Sequence, residues 1–199
     1  MAPTQRRVGA QTSATRTTIL DCVEQLMLED GYPGVTYRAV AKRAEVTPGL
    51  VQYYFPTLDT IFVAAIERRF DENIRRLSDA LAARPDDVLR VIWEFGREEA
   101  TGALMTEFMA LGNHRETVGA AIARVAERMR EIELEALAAR FDNNASGEHL
   151  TPGALVVLLA GIPKLLNLEK GVGVTTAHDE VIAAVESYVD SVEADRTKR

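Results

Sequence analysis

The chain has 199 residues, is 47% hydrophobic and 27% charged, and carries a formal net charge of −7. That suffices for one ordinary domain, or a small one joined to a larger one, with a real apolar core. The single Cys22 excludes an internal disulfide, no charged-then-apolar-then-small leader opens the chain, and the longest apolar run, residues 154–163, is about half of a membrane span. A cytoplasmic protein with no membrane partner is expected. Charge is unevenly spread: residues 1–56 hold six cations against five anions, net +1, and the rest is net −8. An acidic body with a locally basic tip can still meet phosphates, because screening shortens the reach of distant charges to about 10 Å.

Residues 1–14, with Pro3, Gly9, Arg6 and Arg7, read as a flexible, weakly basic arm. From about Thr15, Ile19, Val23, Leu26 and Met27 recur at helical spacing until Gly31 stops the helix. Thr36 caps a second helix, with Val40, Ala41 and Ala44 inward. Thr47-Pro48 is a hydroxyl cap followed by proline at the first helical position, and it opens a short third helix ending near Tyr54. Thr57 caps a long fourth helix with Asp59 in its first turn and Ile61, Phe62, Ile66, Phe70, Ile74, Leu77 and Leu81 on its apolar face. Pro85-Asp86 precedes a fifth, Gly102 and Gly112 bracket a sixth, and a seventh runs from about Glu116 to Phe141. A polar loop, Asn143 to Glu148, leads to Thr151-Pro152 and an eighth helix, apolar on nearly every side and ended by Gly171 and Gly173. A last helix spans about Thr176 to Ala194. With no β alternation of useful length, the fold class is all-α: a three-helix head over 15–56 and a larger helical bundle over 57–199, about nine helices in total.

The second and third predicted helices have the composition of a helix-turn-helix. The first of such a pair crosses the DNA backbone and needs a hydroxyl and free N–H groups at its start, which Thr36 and the following amides offer. The second must be small where it enters the groove and carry donors outward; Thr47, Pro48 and Gly49 are followed by Gln52, Tyr53 and Tyr54. The motif resembles the TetR family of transcriptional repressors: T-x-R-x-V-A at Thr36 to Ala41, V-T-x-G at Val46 to Gly49, Y-Y-F-P at Tyr53 to Pro56, then the aromatic Phe62. It covers residues 15 to 62, about a quarter of the chain. The resemblance implies phosphate and base contacts by Thr36, Tyr37 and Arg38, and a recognition helix comprising Thr47, Gly49, Leu50, Gln52, Tyr53 and Tyr54. Two positions depart from the pattern. Leu58 stands where a phosphate-contacting lysine is common. Glu45 stands in the turn between the paired helices, where glycine is common and a positive φ is expected. Arg6, Arg7 and Arg16 are further candidates for tracking the DNA.

One recognition helix reads few base pairs, and a two-fold dimer places a second one about 34 Å away. The eighth helix, with the stripe of the last, is the candidate interface: Leu155, Leu158, Leu159, Ile162, Leu166, Val181, Val185, Tyr188 and Val189. Pro163 should kink that helix. Phe70, Trp93, Met105, Phe108, Met109 and Met129 are candidates for an adaptable apolar chamber holding an unidentified small apolar or amphipathic effector. Glu94, Arg97, Glu107, Asn113 and His114 are possible polar handles or plain surface residues. A ligand that favours wider separation of the two heads would release the operator. His114, His149 and His178 are scattered, and no phosphate loop or nucleophile elbow is present, so neither an enzyme nor a metal or cofactor site is expected. The alternative is a helical protein–protein interaction module that ignores DNA.

Overall fold

A computed structural model describes residues 14–100, 103–139 and 150–197. Among the described residues there are nine α-helices and no strand. They are α1 (Ala14–Asp30), α2 (Tyr37–Arg43), α3 (Pro48–Tyr54), α4 (Leu58–Ala83), α5 (Val88–Ala100), α6 (Ala103–Gly112), α7 (Glu116–Ala138), α8 (Pro152–Gly171) and α9 (His178–Thr197), with a 3-10 turn at Tyr32–Gly34. Of the expected arm over 1–14, Ala14 already belongs to α1 and the rest lies outside the described residues, as does the loop at 143–148, and α7 ends at Ala138 rather than near Phe141. The helices form two compact units, one from Met1–Asp71 with Ala103–Val125, the other from Glu72–Gly102 with Ala126–Arg199.

The helix starts are where the hydroxyl residues put them. Thr36 Oγ1 accepts from Ala39 N at 3.1 Å, Thr47 Oγ1 from Leu50 N at 3.3 Å and Thr151 Oγ1 from Ala154 N at 3.3 Å. Each bond satisfies one of the four orphan donors of a helix N-terminus and contributes about 1 kcal/mol. At α4 the cap is reciprocal. Thr60 N donates to Thr57 Oγ1 and Thr57 N to Thr60 Oγ1, both at 3.2 Å, so threonine takes the place a glutamate has in a capping box.

In the first unit α1 turns Ile19, Leu20, Val23, Leu26 and Met27 inward and packs on α2, α6 and the 3-10 turn. Arg68 of α4 ties α4 to α1, reaching Asp21 at 2.7 Å and Glu24 at 2.5 Å. Glu107 of α6, a possible polar handle from the sequence, instead accepts from Tyr32 N at 3.0 Å and so holds the 3-10 turn. Gly112 and Gly119 bring α6 and α7 into backbone contact: a Cβ on Gly119 would lie 2.9 Å from the Gly112 carbonyl oxygen.

The second unit is centred on α5 against α8, with Leu89, Ile92, Trp93, Leu155, Val156 and Leu159 buried between them. Pro163 is inside α8, which continues through it. Proline has no N–H, so the Leu159 carbonyl loses its helical partner. Gly96 of α5 packs there: a Cβ on Gly96 would come within 3.0 Å of the Leu159 oxygen and 3.5 Å of Pro163 Cγ. The proline and the glycine are therefore one packing device. Taken whole, α8 differs from the reading based on residues 154–163. It is 20 residues long with a window of mean hydropathy 1.4, enough to cross a membrane by length and composition alone. It ends in a Schellman motif, with Gly173 at φ 87 and Val174 N donating to Glu169 O at 3.0 Å.

Candidate nucleic-acid interface

The geometry of the helix-turn-helix starts from its turn. Ala44 ends α2, Glu45 adopts φ 54, and Val46 N donates to Ala41 O at 3.0 Å. This is the six-to-one bond of a Schellman motif with glutamate at the left-handed position. It reverses the chain within three residues and delivers Thr47 to cap α3. Val40 and Ala41 of α2 and Val51 of α3 are buried and small, so the two short helices pack closely. The expected positive φ at Glu45 is thus present, without the glycine that would adopt it at least cost.

What remains outward on α3 is Thr47, Gly49, Leu50, Gln52 and Tyr53. Leu50 is 37% exposed and Tyr53 62%. Gly49 has a negative φ, and a Cβ there would meet nothing within 4 Å, so neither strain nor internal packing requires a glycine. Tyr54 is half-buried, its ring edge-on to Tyr53 at 5.5 Å, and it props the more exposed ring outward. On α2, Thr36 and Arg38 are exposed and Lys42 lies beside them. Among the described residues, Arg38 and Lys42 have no acidic partner. Arg43 is engaged by Glu29, and that guanidinium holds the Glu29 carboxyl below its ordinary value.

Tyr37 is placed differently from its neighbours. It is half-buried and its hydroxyl donates to the Phe55 carbonyl oxygen at 2.9 Å, bracing the end of α3 against the start of α2; burial raises its pKa. Arg16, a candidate for tracking DNA from the arm, lies within α1 with its guanidinium 5.0 Å from the centre of the Phe55 ring. It stacks on the head's own core, a contact that no local sequence signal announces. Arg6 and Arg7 lie outside the described residues. Leu58, at the start of α4, offers no charge to a phosphate. Next to it Asp59 is engaged by Arg115, whose guanidinium also lies 5.6 Å from the Phe62 ring.

The remaining candidates separate. Of the six chamber residues, Phe70, Met105, Phe108 and Met109 belong to the first unit and Trp93 and Met129 to the second. Phe108 is core and Met109 is 52% exposed. An open cleft of about 350 Å³ in the second unit is lined by Trp93, Arg97, Pro163, Leu166, Lys170 and His178, among others. Arg97 there bonds Glu186 at 2.7 Å, and His178 Nε2 lies 2.9 Å from Glu169. Of the interface candidates, Leu155, Leu159 and Val189 are already buried in their own subunit. Leu158 is exposed, together with Val157, Leu165 and Leu168 of the same helix. Ile162, Leu166, Val181, Val185 and Tyr188 are half-buried.

An all-α chain with a capped helix-turn-helix whose second helix is exposed has the make-up of a DNA-binding regulator of transcription. Residues 19–65 match the bacterial regulatory proteins of the tetR family. The repressor KstR of Rhodococcus jostii is 33% identical over 95 residues, covering 47% of this chain and 45% of that protein, so the match spans about half the length of that relative. Among solved structures, a TetR transcription regulator from Haloarcula marismortui superposes with a TM-score of 0.69 at 15% identity, covering 89% of this chain and 97% of that one. The multidrug binding protein EbrR, complexed with imidazole, superposes at 0.59 with 28% identity, covering 87% and 95%. Over residues 19–65 the chain thus matches the DNA-binding region of tetR regulators, and over most of its length it shares the fold of the solved TetR regulator.

Proposed function

We propose that the protein is a repressor, which binds a two-fold operator as a cytoplasmic homodimer and leaves it when a small apolar or amphipathic molecule binds. The head over residues 15–56 meets DNA, and residues 57–199 serve dimerisation and ligand binding. The observation that carries the reading is the outward face of α3, exposed along Thr47, Gly49, Leu50, Gln52 and Tyr53 while Val51 anchors it beneath. Arg38 and Lys42 supply phosphate contacts from α2. Thr36 and Thr47 keep their hydroxyl protons for phosphate oxygens, since their oxygens serve as cap acceptors.

The dimer is supported by α8, which leaves Val157, Leu158, Leu165 and Leu168 each more than 40% exposed. An apolar face of that extent is a partner surface. A second copy accounts for it without a membrane, and two-fold symmetry gives the second recognition helix the operator requires. The ligand is supported by the cleft beside Trp93, whose volume is at the small end of the range for ligand sites. KstR being a repressor and EbrR binding multiple drugs are consistent with both roles. A ligand with unequal affinity for the DNA-competent and DNA-incompetent states, by about 1–3 kcal/mol, suffices to switch occupancy.

Selection of bound duplexes from a random pool, followed by binding titrations across salt, tests the reading. Affinity for the selected duplex should fall with salt at a log–log slope of about −0.9 per phosphate contact. Arg38→Ala and Tyr53→Ala should each weaken binding while the protein stays dimeric. Wild-type affinity in both variants would remove α2 and α3 from the interface, and salt-independent binding would favour a protein partner.

A further inference from the structure

The outward face of α3 has an unusual chemical bias. Thr47, Gly49, Leu50, Gln52 and Tyr53 are all uncharged, and the nearest unpaired cations, Arg38 and Lys42, are on α2. The commonest contact to guanine is a bidentate arginine or lysine on O6 and N7, which nothing on α3 can make. Its three informative side chains all favour the other base pair. Glutamine pairs bidentately with the adenine N6 and N7 edge, and exposed apolar groups pack on the thymine 5-methyl. Leu50 and Tyr53, 37% and 62% exposed, flank the bare backbone at Gly49, where a Cβ would meet no protein atom within 4 Å. Helical spacing puts Gly49 and Tyr53 on one ridge, four residues apart, with Leu50 on one side and Gln52 on the other. At Gly49 itself the surface is open, so a base edge can approach the backbone between these side chains.

Resting on the reading of α3 as the recognition helix, we infer that this chain selects A·T pairs in the groove beneath α3. Leu50 and Tyr53 read thymine 5-methyl groups and Gln52 reads adenine. Leu50 is thereby a specificity-determining residue rather than an exposed leucine without a task. Its side chain is not needed to hold the head together, since Val51 and Phe55 fill the core beneath it.

The test uses the full-length protein and duplexes selected from a random pool. The bound sequences should carry thymines and adenines in both half-sites. Replacing one such thymine by uracil deletes only the 5-methyl group. Affinity of the wild-type protein should fall about 4-fold per methyl, and about 15-fold when the symmetric position is replaced too. Leu50→Ala should bind the thymine and uracil duplexes equally at the position it reads, and Tyr53→Ala should show the same at its own. Both variants should unfold at temperatures close to wild type, which keeps a binding loss from being mistaken for a folding loss. Guanine- and cytosine-rich half-sites, equal affinity for thymine and uracil duplexes, or a uracil loss that persists undiminished in both variants would each overturn the inference while leaving DNA binding in place. Recovery of no duplex at all would instead overturn the underlying DNA reading, and this inference with it.

Discussion

Glu45→Gly is the substitution in which stability and function separate most cleanly. Glu45 has φ 54, where a side chain bearing a Cβ is disfavoured by about 1–2 kcal/mol, and glycine is not. Glycine gives back part of that gain, about 0.5–1 kcal/mol, through greater freedom of the unfolded chain. The Schellman bond from Val46 N to Ala41 O is a backbone bond and survives. The net expectation is a gain of about 0.5–1 kcal/mol, or roughly 2 °C in Tm for a chain of this length. Removing an exposed anion from the DNA-facing turn should also tighten operator binding, by about 2–5-fold at low salt and less as salt rises. Calorimetry and fluorescence anisotropy read the two effects separately. Glu45→Ala is the control, because it removes the same charge but keeps a Cβ at the strained position. Alanine should match glycine in DNA affinity and fall short of it in Tm. If alanine stabilises as much as glycine, strain at residue 45 is not what the substitution relieves. If neither changes affinity, the turn does not face DNA.

Other substitutions probe the body. Gly96→Val should cost about 2–3 kcal/mol and lower Tm by about 8 °C in calorimetry, because its side chain meets the Leu159 backbone oxygen, which cannot yield as a side chain would. Glu133 is buried on α7, and desolvation pushes its carboxyl up to about 6 despite Arg130 and Lys164 nearby. Its raised value means that stability present below about pH 4.5 is lost as pH rises through about 6, an amount near 2 kcal/mol. Urea unfolding should therefore show Glu133→Gln more stable than wild type at pH 7.5 by up to about 2 kcal/mol, and no different at pH 4. Leu165→Lys places a charge on the exposed face of α8. Sedimentation should show the dimer dissociating at least about tenfold more readily, with operator affinity lost in parallel, through the cost of burying an unpaired ammonium. Persistence of the dimer would move its interface off α8.

The helix starts and the helix-turn-helix were legible because they are written in local chemistry. Thr36, Thr47-Pro48, Thr57 and Thr151-Pro152 each combine a hydroxyl acceptor with a residue suited to a first helical turn, and each does cap a helix. The left-handed residue at 45 was legible from its place in the turn alone. Direction around α8 was not. A helix apolar on nearly every side has no periodicity from which to tell the face toward α5 from the face toward a partner, so Leu155 and Leu159 looked equivalent to Leu158 and Leu165. The small residue Gly96, opposite the Leu159 carbonyl, marks the inner side, and that pairing spans 63 positions of sequence. Long-range polar contacts were hidden for the same reason. The Glu107 bond to Tyr32 N and the Arg16 contact with Phe55 join segments that nothing in either neighbourhood links. The Tyr37 bond to the Phe55 carbonyl was hidden in the same way, being a link between two helices that neither segment announces.

The exposure of α3 to duplex DNA is tested most directly by crosslinking from residue 53. A photoreactive benzophenone side chain in place of Tyr53, irradiated with a selected duplex, should crosslink to bases at two places about one helical turn apart, one from each subunit. The same group at residue 109, exposed on α6, should give none. Retained binding with no crosslink from residue 53, or equal crosslinking from both positions, would contradict the placement of α3 in the groove.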